Sequence, residues 1–339
     1  MARRALATVF DGCPDLEVVG EASTGREAME KAQQLEPRLI TMDLDMPDGN
    51  GLQAIEQIMA FTPTRIMVVT GVPRFDGQDA SFEALSRGAL ELIPKPTAWP
   101  ATDLERQNII GLARRLSSVP VLHHTRASRE KRRSARRVRP SLGGGADLVA
   151  IGASTGGPGA LKAILEELPP GFSEPIVIVQ HLTDVFAAGF IEWLGSCTNL
   201  VVREALPGTR LEPGSVYVAV RGSHIAISHR GWIEASHQPP RAGHCPSIDV
   251  LFESVASAHG PRAVGILLTG MGKDGAAGLR AIRDSGGVTV AQDEASCTVF
   301  GMPKAAIELE AATHVVPVRE IASTLIRATA LERESVVGE

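Results

Sequence analysis

Three side chains in the second half of the chain have the types that a serine hydrolase uses. Ser154 follows the apolar run DLVAIG, His181 follows PIVIVQ, and Asp274 comes shortly after AVGILLTG. In an open parallel sheet the functional groups gather at the carboxyl ends of the strands, so we expect these three at one edge. A serine hydroxyl needs a base to take its proton, and the base needs a carboxylate to orient it. The pattern predicts Ser154 as nucleophile, His181 as base and Asp274 as orienting acid.

Each of the three residues also has an ordinary structural interpretation. Ser154 could cap the helix expected a few residues later, and Asp274 could cap the helix that follows it. His181 could be a hydrogen-bonded core histidine. The stretch AIGASTGGP could cradle a phosphate, but it lacks both G-K-[ST] and G-x-G-x-x-G. GASTG matches G-x-S-x-G, yet the chain order Ser, His, Asp differs from the Ser, Asp, His order of α/β-hydrolases.

The elements that must position these side chains alternate between strand and helix patterns over residues 147–330. The strand-like runs are DLVAIG, PIVIVQ, AVGILLTG and VTVAQ, and helical patterns cover about 158–168, 184–195, 247–258, 275–285 and 302–310. Such alternation predicts a doubly wound α/β domain with a parallel sheet. Between residues 200 and 235 the closely spaced runs VVREA, SVYVAV, HIAIS and WIEAS predict an antiparallel hairpin insert.

Residues 1–118 show the same alternation and predict a second doubly wound parallel-sheet domain. Its strands are LEVV (16–19), RLITMD (38–43), RIMVVT (65–70) and ALELI (89–93), and its helices cover about 24–35, 51–60, 80–88 and 102–117. Thr24 and Glu27 have the spacing of a capping box for the first of these helices.

A basic stretch separates the two predicted domains. RASREKRRSARRVR (126–139) has no apolar periodicity and is followed by a run of glycines, so residues 119–146 are predicted to be a flexible linker. Such a run could also bind RNA, a membrane or an acidic partner. Residues 331–339 are predicted to be a tail.

The composition excludes several classes of protein. The 339 residues carry a net charge of −5, which does not suggest a nucleic-acid-binding protein. No apolar run reaches the roughly 20 residues that span a bilayer, and MARRAL lacks the apolar core of a secretory signal. The four cysteines have neither metal-site nor disulfide spacing, which fits reduced thiols and a cytoplasmic protein.

Five motifs of the second half resemble the CheB family of chemotaxis protein-glutamate methylesterases. They are IGASTGGPGAL, VQHL, PSIDVLF, LLTGMGKDGAAGL and AQDEASCTVFGMPKAAI. The resemblance implies a Ser-His-Asp hydrolase in which the nucleophile is Ser154, the base His181 and the orienting acid Asp274. It also implies that the backbone N–H of Met271 binds the oxyanion and that Thr155 lines the same pocket.

The substrate implied by the resemblance is a glutamate methyl ester on the cytoplasmic helices of a chemoreceptor. Glutamine deamidation is implied as well, because both reactions pass through one acyl-enzyme. The resemblance implies that the esterase needs no cofactor and that the protein meets the membrane only through the receptors. Two positions depart from the family pattern: Leu182 stands where Met-Pro often follows the histidine, and Cys245 stands where Arg often precedes Pro-Ser. These departures concern docking and substrate choice more than chemistry.

The first half resembles a response-regulator receiver domain. TMDLDMPDGNGL looks like the phosphoacceptor loop, which implies Asp43 as the phosphorylated residue, Thr70 as the switch hydroxyl and Lys95 as the phosphate-binding lysine. The resemblance implies a chemotaxis histidine kinase as phosphodonor. The central first strand and the acidic pair that binds Mg²⁺ are missing from this pattern, so no metal ligands are assigned. We interpret the start as placed too late or the chain as a fragment, with a decayed receiver as the alternative; Mg²⁺ is expected only if the missing segment is present.

Three functions remain open at this point. The first is a methylesterase regulated by its receiver. The second is a signalling module that binds a partner and carries a catalytically silent hydrolase domain; the intact set of Ser154, His181 and Asp274 argues against it. The third is a hydrolase of the same family that acts in another signalling pathway.

Overall fold

The computed structural model describes residues 2–47, 51–71, 74–75, 78–79, 81–96, 98–119, 146–220 and 222–329. The chain divides into two compact units, Met1–Arg129 and Glu130–Glu339. This division falls inside the predicted linker, whose residues 120–145 lie outside the described residues, as does the predicted tail. The exact domain limits therefore stay predictions.

The first unit has helices around a small parallel sheet. Its helices are α1 (Ala2–Val9), α2 (Gly25–Leu35), α3 (Gly51–Phe61), α4 (Ser81–Ser86) and α5 (Asp103–Ser117). Its strands are β1 (Leu39–Met42), β2 (Arg65–Thr70), β3 (Arg74–Phe75), β4 (Gln78–Asp79) and β5 (Glu91–Pro94). The parallel sheet has the order β1-β2-β5, and β3 and β4 form a separate antiparallel pair. Three of the predicted strands and all four predicted helices are present.

The predicted strand LEVV is wrong. Residues 16–19 form no strand, and the side chains of Val18 and Val19 are 44% and 52% exposed. A strand forms only when a neighbour accepts its backbone hydrogen bonds. In the part of the unit that the structure describes, β1 pairs with β2 alone, and its other edge faces a cavity of about 1100 Å³ that residues 15–23 also line. With no strand in that space, LEVV has nothing to pair with.

The predicted capping box of α2 is half formed. Thr24 Oγ1 accepts the Glu27 N–H at 3.2 Å, but the Glu27 carboxylate accepts from the backbone N–H of Ser23 instead of that of Thr24. The backbone N–H groups of Ser23 and Glu27, at the start of α2, therefore both have side-chain acceptors.

The second unit is built around a larger sheet. Its helices are α6 (Gly157–Leu165), α7 (Ala187–Ser196), α8 (Ile248–His259), α9 (Ala276–Asp284), α10 (Met302–Glu308) and α11 (Val318–Thr329). Its strands are β6 (Leu148–Ala153), β7 (Ile176–Gln180), β8 (Val201–Glu204), β9 (Ser215–Ala219), β10 (His224–Ile227), β11 (Ile233–Ser236), β12 (Ala263–Leu267), β13 (Val288–Gln292) and β14 (His314–Val316). Short 3₁₀ turns cover Asp184–Phe186, Gly260–Arg262 and Glu294–Ser296.

Seven parallel strands form this sheet in the order β14-β13-β12-β6-β7-β9-β8. The chain enters this sheet at β6, in the middle, and adds β7, β8 and β9 on one side. It then returns to the middle and adds β12, β13 and β14 on the other side. The strand order therefore reverses between β6 and β12, and a crevice opens at such a point outside the carboxyl ends of the strands. The predicted doubly wound fold is confirmed.

Of the four runs predicted to form an antiparallel insert, only the last two do so. HIAIS and WIEAS form the antiparallel pair β10-β11. VVREA and SVYVAV instead become β8 and β9, which extend the parallel sheet. The reason is burial: all residues of β9 are buried, and a strand covered on both faces is typical of a parallel sheet.

Sequence reasoning missed β14 and α11. The first has three residues, too few for a periodic pattern. The second has a readable signal, because its buried residues include Ile321, Leu325 and Ala328, which recur at helical spacing.

Candidate active site

Backbone contacts at the ends of three adjacent strands bring the predicted residues together. The register pairs Ala153 with Gln180 in the β6-β7 ladder, and the N–H of His181 donates to Ala153 O at 3.0 Å. On the other side of β6, the N–H of Ser154 donates to Thr269 O at 3.1 Å. Ser154 therefore begins a loop that has the loop after β7 on one side and the loop after β12 on the other.

His181 and Asp274 meet at this edge. His181 Nε2 lies 3.0 Å from Asp274 Oδ2, and the two side chains are 10% and 1% exposed. The contact is oblique, because neither ring nitrogen of His181 makes a hydrogen bond of regular geometry within the described ranges. Since Nε2 faces the carboxylate, Nδ1 is the ring nitrogen left to accept a proton.

The carboxylate of Asp274 is held at the start of α8. It accepts the Ser247 hydroxyl at 2.8 Å, the Ile248 N–H at 2.8 Å and the Asp249 N–H at 3.1 Å. Burial by itself would raise the pKa of Asp274, but the close contact with His181 and the hydrogen bonds from Ile248 and Ser247 lower that pKa to about 2. The carboxylate is therefore ionised and its orientation is fixed.

This geometry decides two of the open structural interpretations. Asp274 does cap a helix, but the helix is α8 and not α9, which begins after Gly275 without a side-chain cap. Ser154 does not cap α6, whose N-cap is Gly156. The Ser154 side chain is partly exposed at the edge of the crevice.

Two glycines allow the loops around Ser154 to pack closely. Gly156 has φ +78°, and a Cβ there would lie 2.4 Å from Thr298 Cβ. A Cβ on Gly270 would lie 2.7 Å from Ser154 Cβ. Any larger residue at Gly270 would push directly against the serine.

Gln180 is a residue of this site that sequence reasoning missed. Its buried amide Nε2 donates to Ser154 O at 3.0 Å and to His181 O at 2.8 Å. One side chain therefore ties the backbone of both residues together. The available signal was a polar residue at the end of the buried run PIVIVQ, where a glutamine needs a polar partner. Ser247, in the motif PSIDVLF, is a second such residue, because its hydroxyl donates to Asp274 Oδ1.

Met271 and Thr155 lie beside these groups. Met271 directly follows Gly270, and among the described residues its backbone N–H has no acceptor. Thr155 is buried, and its carbonyl accepts the Thr269 hydroxyl at 3.0 Å. A free N–H next to the serine loop is what an oxyanion donor requires. Both assignments stay predictions.

The candidate phosphorylation site of the first unit is also assembled. Asp43 directly follows β1, Thr70 is the last residue of β2, and Lys95 directly follows β5. Lys95 Nζ lies 2.6 Å from Asp43 Oδ2. The Thr70 side chain is fully buried, and its hydroxyl has no hydrogen-bond partner in the described part of the unit. Over the residues that the structure describes, no group of three or more His, Cys, Asp or Glu could hold a metal ion.

Comparison with known proteins identifies the family. The model of the CheB methylesterase family matches residues 149–325, which contain the whole Ser154, His181 and Asp274 arrangement. The chain belongs to the CheB methylesterase family. The model of the response regulator receiver domain matches residues 1–103, so the resemblance of both halves is confirmed.

The similarity to bacterial proteins extends over both units. A protein-glutamate methylesterase/protein-glutamine glutaminase of Anaeromyxobacter dehalogenans is 45% identical over 95% of this chain and 92% of that protein. One from Myxococcus xanthus is 42% identical over 93% of this chain and 87% of the relative. The crystal structure of the Thermotoga maritima CheB methylesterase catalytic domain is 35% identical, has a TM-score of 0.52, and matches 54% of this chain and 98% of that domain. Within the described ranges, no helix has the length and apolar character needed to cross a membrane.

Proposed function

We propose that this protein hydrolyses glutamate methyl esters on the cytoplasmic helices of chemoreceptors and deamidates receptor glutamines, in chemotactic adaptation. The observation that carries the proposal is the buried, ionised Asp274 against His181, beside Ser154, within the region that matches the family. Relatives covering nearly the whole chain carry both activities in their names. A receiver unit precedes the esterase unit, so the activity is regulated by phosphorylation from a histidine kinase.

The reaction begins when Ser154 Oγ attacks the ester carbonyl carbon. The serine proton passes to His181 Nδ1, because Nε2 faces Asp274, and the carboxylate stabilises the imidazolium that forms. The Met271 N–H donates to the oxyanion of the tetrahedral intermediate. As that intermediate collapses, the imidazolium returns its proton to the leaving methoxide, and methanol departs.

A water molecule then completes the cycle. It loses a proton to His181 Nδ1 as it attacks the acyl carbon and forms a second tetrahedral intermediate. As that intermediate collapses, the bond to Ser154 Oγ breaks, the imidazolium returns its proton to Ser154 Oγ, and the glutamic acid that is released ionises in water. Deamidation of a glutamine follows the same steps with ammonia as the leaving group, because the acyl-enzyme is identical. The test is to incubate the protein with methylated chemoreceptor and measure methanol; a folded protein that releases none would contradict the proposal.

Removal of the receiver and the linker should leave an active esterase. A fragment of residues 146–339 keeps the complete seven-stranded sheet and its core. We expect it to fold and to release methanol at least as fast as the full chain, because the family resemblance implies that an unphosphorylated receiver restrains the esterase. Circular dichroism and methanol release on the two proteins check this, and a folded but inert fragment would be the contrary result.

Phosphorylation of Asp43 should be slow in this chain. Asp43 has Lys95 at 2.6 Å, but no second and third acidic ligand accompany it among the described residues. A divalent cation normally bridges several carboxylates and the phosphoryl oxygens, so weak Mg²⁺ binding should limit transfer. The measurement is phosphate incorporation from a small phosphodonor, with Asp43→Asn as control. Rapid Mg²⁺-dependent incorporation that Asp43→Asn abolishes would refute this expectation.

A further inference from the structure

The imidazole ring of His244 lies face to face on that of His181. The ring centroids are 3.9 Å apart and the planes differ by 4°. Apart from this stacking, the His181 ring is held at one polar atom, Nε2, and its contact with Asp274 is oblique. A single oblique contact lets a ring turn, and turning would change the direction in which Nδ1 points. A second ring packed flat on the first prevents that turn.

The turn that carries His244 is itself tightly formed. The backbone groups of Arg241 and His244 exchange two hydrogen bonds, of 3.0 and 2.9 Å. Between them, Ala242 has φ +51° and Gly243 has φ +85°. Two central residues with positive φ are typical of a type I′ turn. Alanine adopts this conformation at a cost, so the surroundings must hold the turn in place.

His224 joins the two ends of the segment that contains this turn. It is fully buried; its Nδ1 accepts the Ser247 N–H at 3.0 Å, and its Nε2 lies 3.2 Å from Pro239 O. The Arg241 guanidinium also anchors the turn on α8, through a 2.6 Å contact with Glu253. The position of His244 is therefore built by several independent contacts.

We propose that His244 is a positioning residue for the catalytic base. Its ring keeps the His181 imidazole in the plane that places Nε2 at Asp274 and so fixes the direction of Nδ1, the nitrogen that takes the serine proton in the proposed mechanism. The inference rests on the proposed function, since it takes His181 as the base. His244 acts through His181 and contacts no reacting atom itself.

The charge state of the stacked ring matters as much as its shape. The charged groups around the two rings are the carboxylates of Asp249, Glu253 and Asp274 and the guanidinium of Arg241. Burial and the neighbouring His181 lower the pKa of His244, so its ring is neutral at neutral pH. A neutral ring tolerates the imidazolium that forms on His181 during acylation, whereas a fixed cation in its place would oppose it.

Three substitutions separate shape from charge. His244→Phe keeps a flat, neutral ring, and we expect its kcat to stay within about threefold of the unmodified chain. His244→Ala removes the ring and should lower kcat roughly tenfold with little change in KM, because the base loses orientation. His244→Arg keeps a planar group but adds charge, so it should lower kcat and move the acid limb of the pH profile of kcat/KM to lower pH.

The assay is methanol release by the full chain, with His237→Ala as the matched control because His237 is exposed on the same unit. Long-range ¹H–¹⁵N spectra of the histidine rings report the His181 tautomer without any need for activity. We expect one Nε2–H tautomer in the unmodified chain and in His244→Phe, and a mixture in His244→Ala.

The outcomes distinguish this inference from the proposed function. An inactive unmodified chain, or an active Ser154→Ala protein, would overturn the function, and the His181 tautomer would then decide the role of His244. If Ser154→Ala is inactive but His244→Ala keeps full kcat and a single tautomer, the positioning role is wrong. Equal losses in His244→Phe and His244→Ala, or an unmoved acid limb in His244→Arg, would also contradict it.

Discussion

A Ser154→Ala protein should fold normally and release almost no methanol from methylated receptor. In the proposed mechanism Ser154 supplies the attacking oxygen, and loss of one member of a triad typically lowers kcat by on the order of 10⁴–10⁶. Because the Ser154 side chain makes no capping hydrogen bond to α6, its removal should leave the thermal stability nearly unchanged. The measurements are methanol release and the melting temperature.

Ser323→Ala is the matched control for this substitution. Ser323 is exposed on α11 of the same unit, and its hydroxyl donates to Glu320 O and accepts from Arg327 Nη1 within the same helix. It should keep normal activity. Near-normal methanol release from a folded Ser154→Ala protein would mean that Ser154 is not the nucleophile.

Substitution of Asp274 should affect both catalysis and stability, and two variants separate the effects. Asp274→Asn keeps the shape and one of the two acceptor oxygens, but it cannot stabilise the imidazolium of His181, so kcat should fall on the order of 10⁴. Asp274→Ala should lose as much activity. It also leaves three buried donors without their acceptor, and each such group costs roughly 1–3 kcal/mol of folding free energy.

Urea unfolding of both variants measures this difference, with Asp284→Asn as an exposed control on α9. Equal stability of Asp274→Ala and the unmodified chain would show that the carboxylate does not hold the start of α8. The pKa of Asp274 in the folded chain, about 2, lies below its ordinary value of 3.8. Its contribution to stability is therefore present above about pH 4 and is lost as the pH falls toward 2, so Asp274→Asn should weaken this acid dependence.

Several strands and helices could be predicted from the sequence because the patterns that specify them are local. DLVAIG and PIVIVQ are apolar runs of strand length, and both became central parallel strands. Ser154 and His181 follow them directly, so placing these residues at one edge required only the rule for parallel sheets. Helix α8 was readable from the periodic run that starts at Ile248.

Two errors had the same physical cause. LEVV has the composition of a strand, but a strand exists only where another strand pairs with it, and residues 16–19 have no such neighbour in the described structure. VVREA and SVYVAV are close in sequence and so predict a hairpin, yet they pair side by side in parallel. Strand pairing is a long-range property that neither composition nor spacing specifies.

The sequence by itself determined the fold class, the two-unit organisation and the identity of Ser154, His181 and Asp274 as candidates, because each depends on residue type and on periodicity along the chain. Only the tertiary structure decided what surrounds them. Three contacts show this: α8 binds the Asp274 carboxylate, Gln180 links the backbone of Ser154 to that of His181, and the His244 ring stacks on the His181 ring. Each of them joins residues that lie at least 25 positions apart in the sequence. Such contacts depend on how separate elements pack, and packing geometry leaves no periodic trace in the sequence.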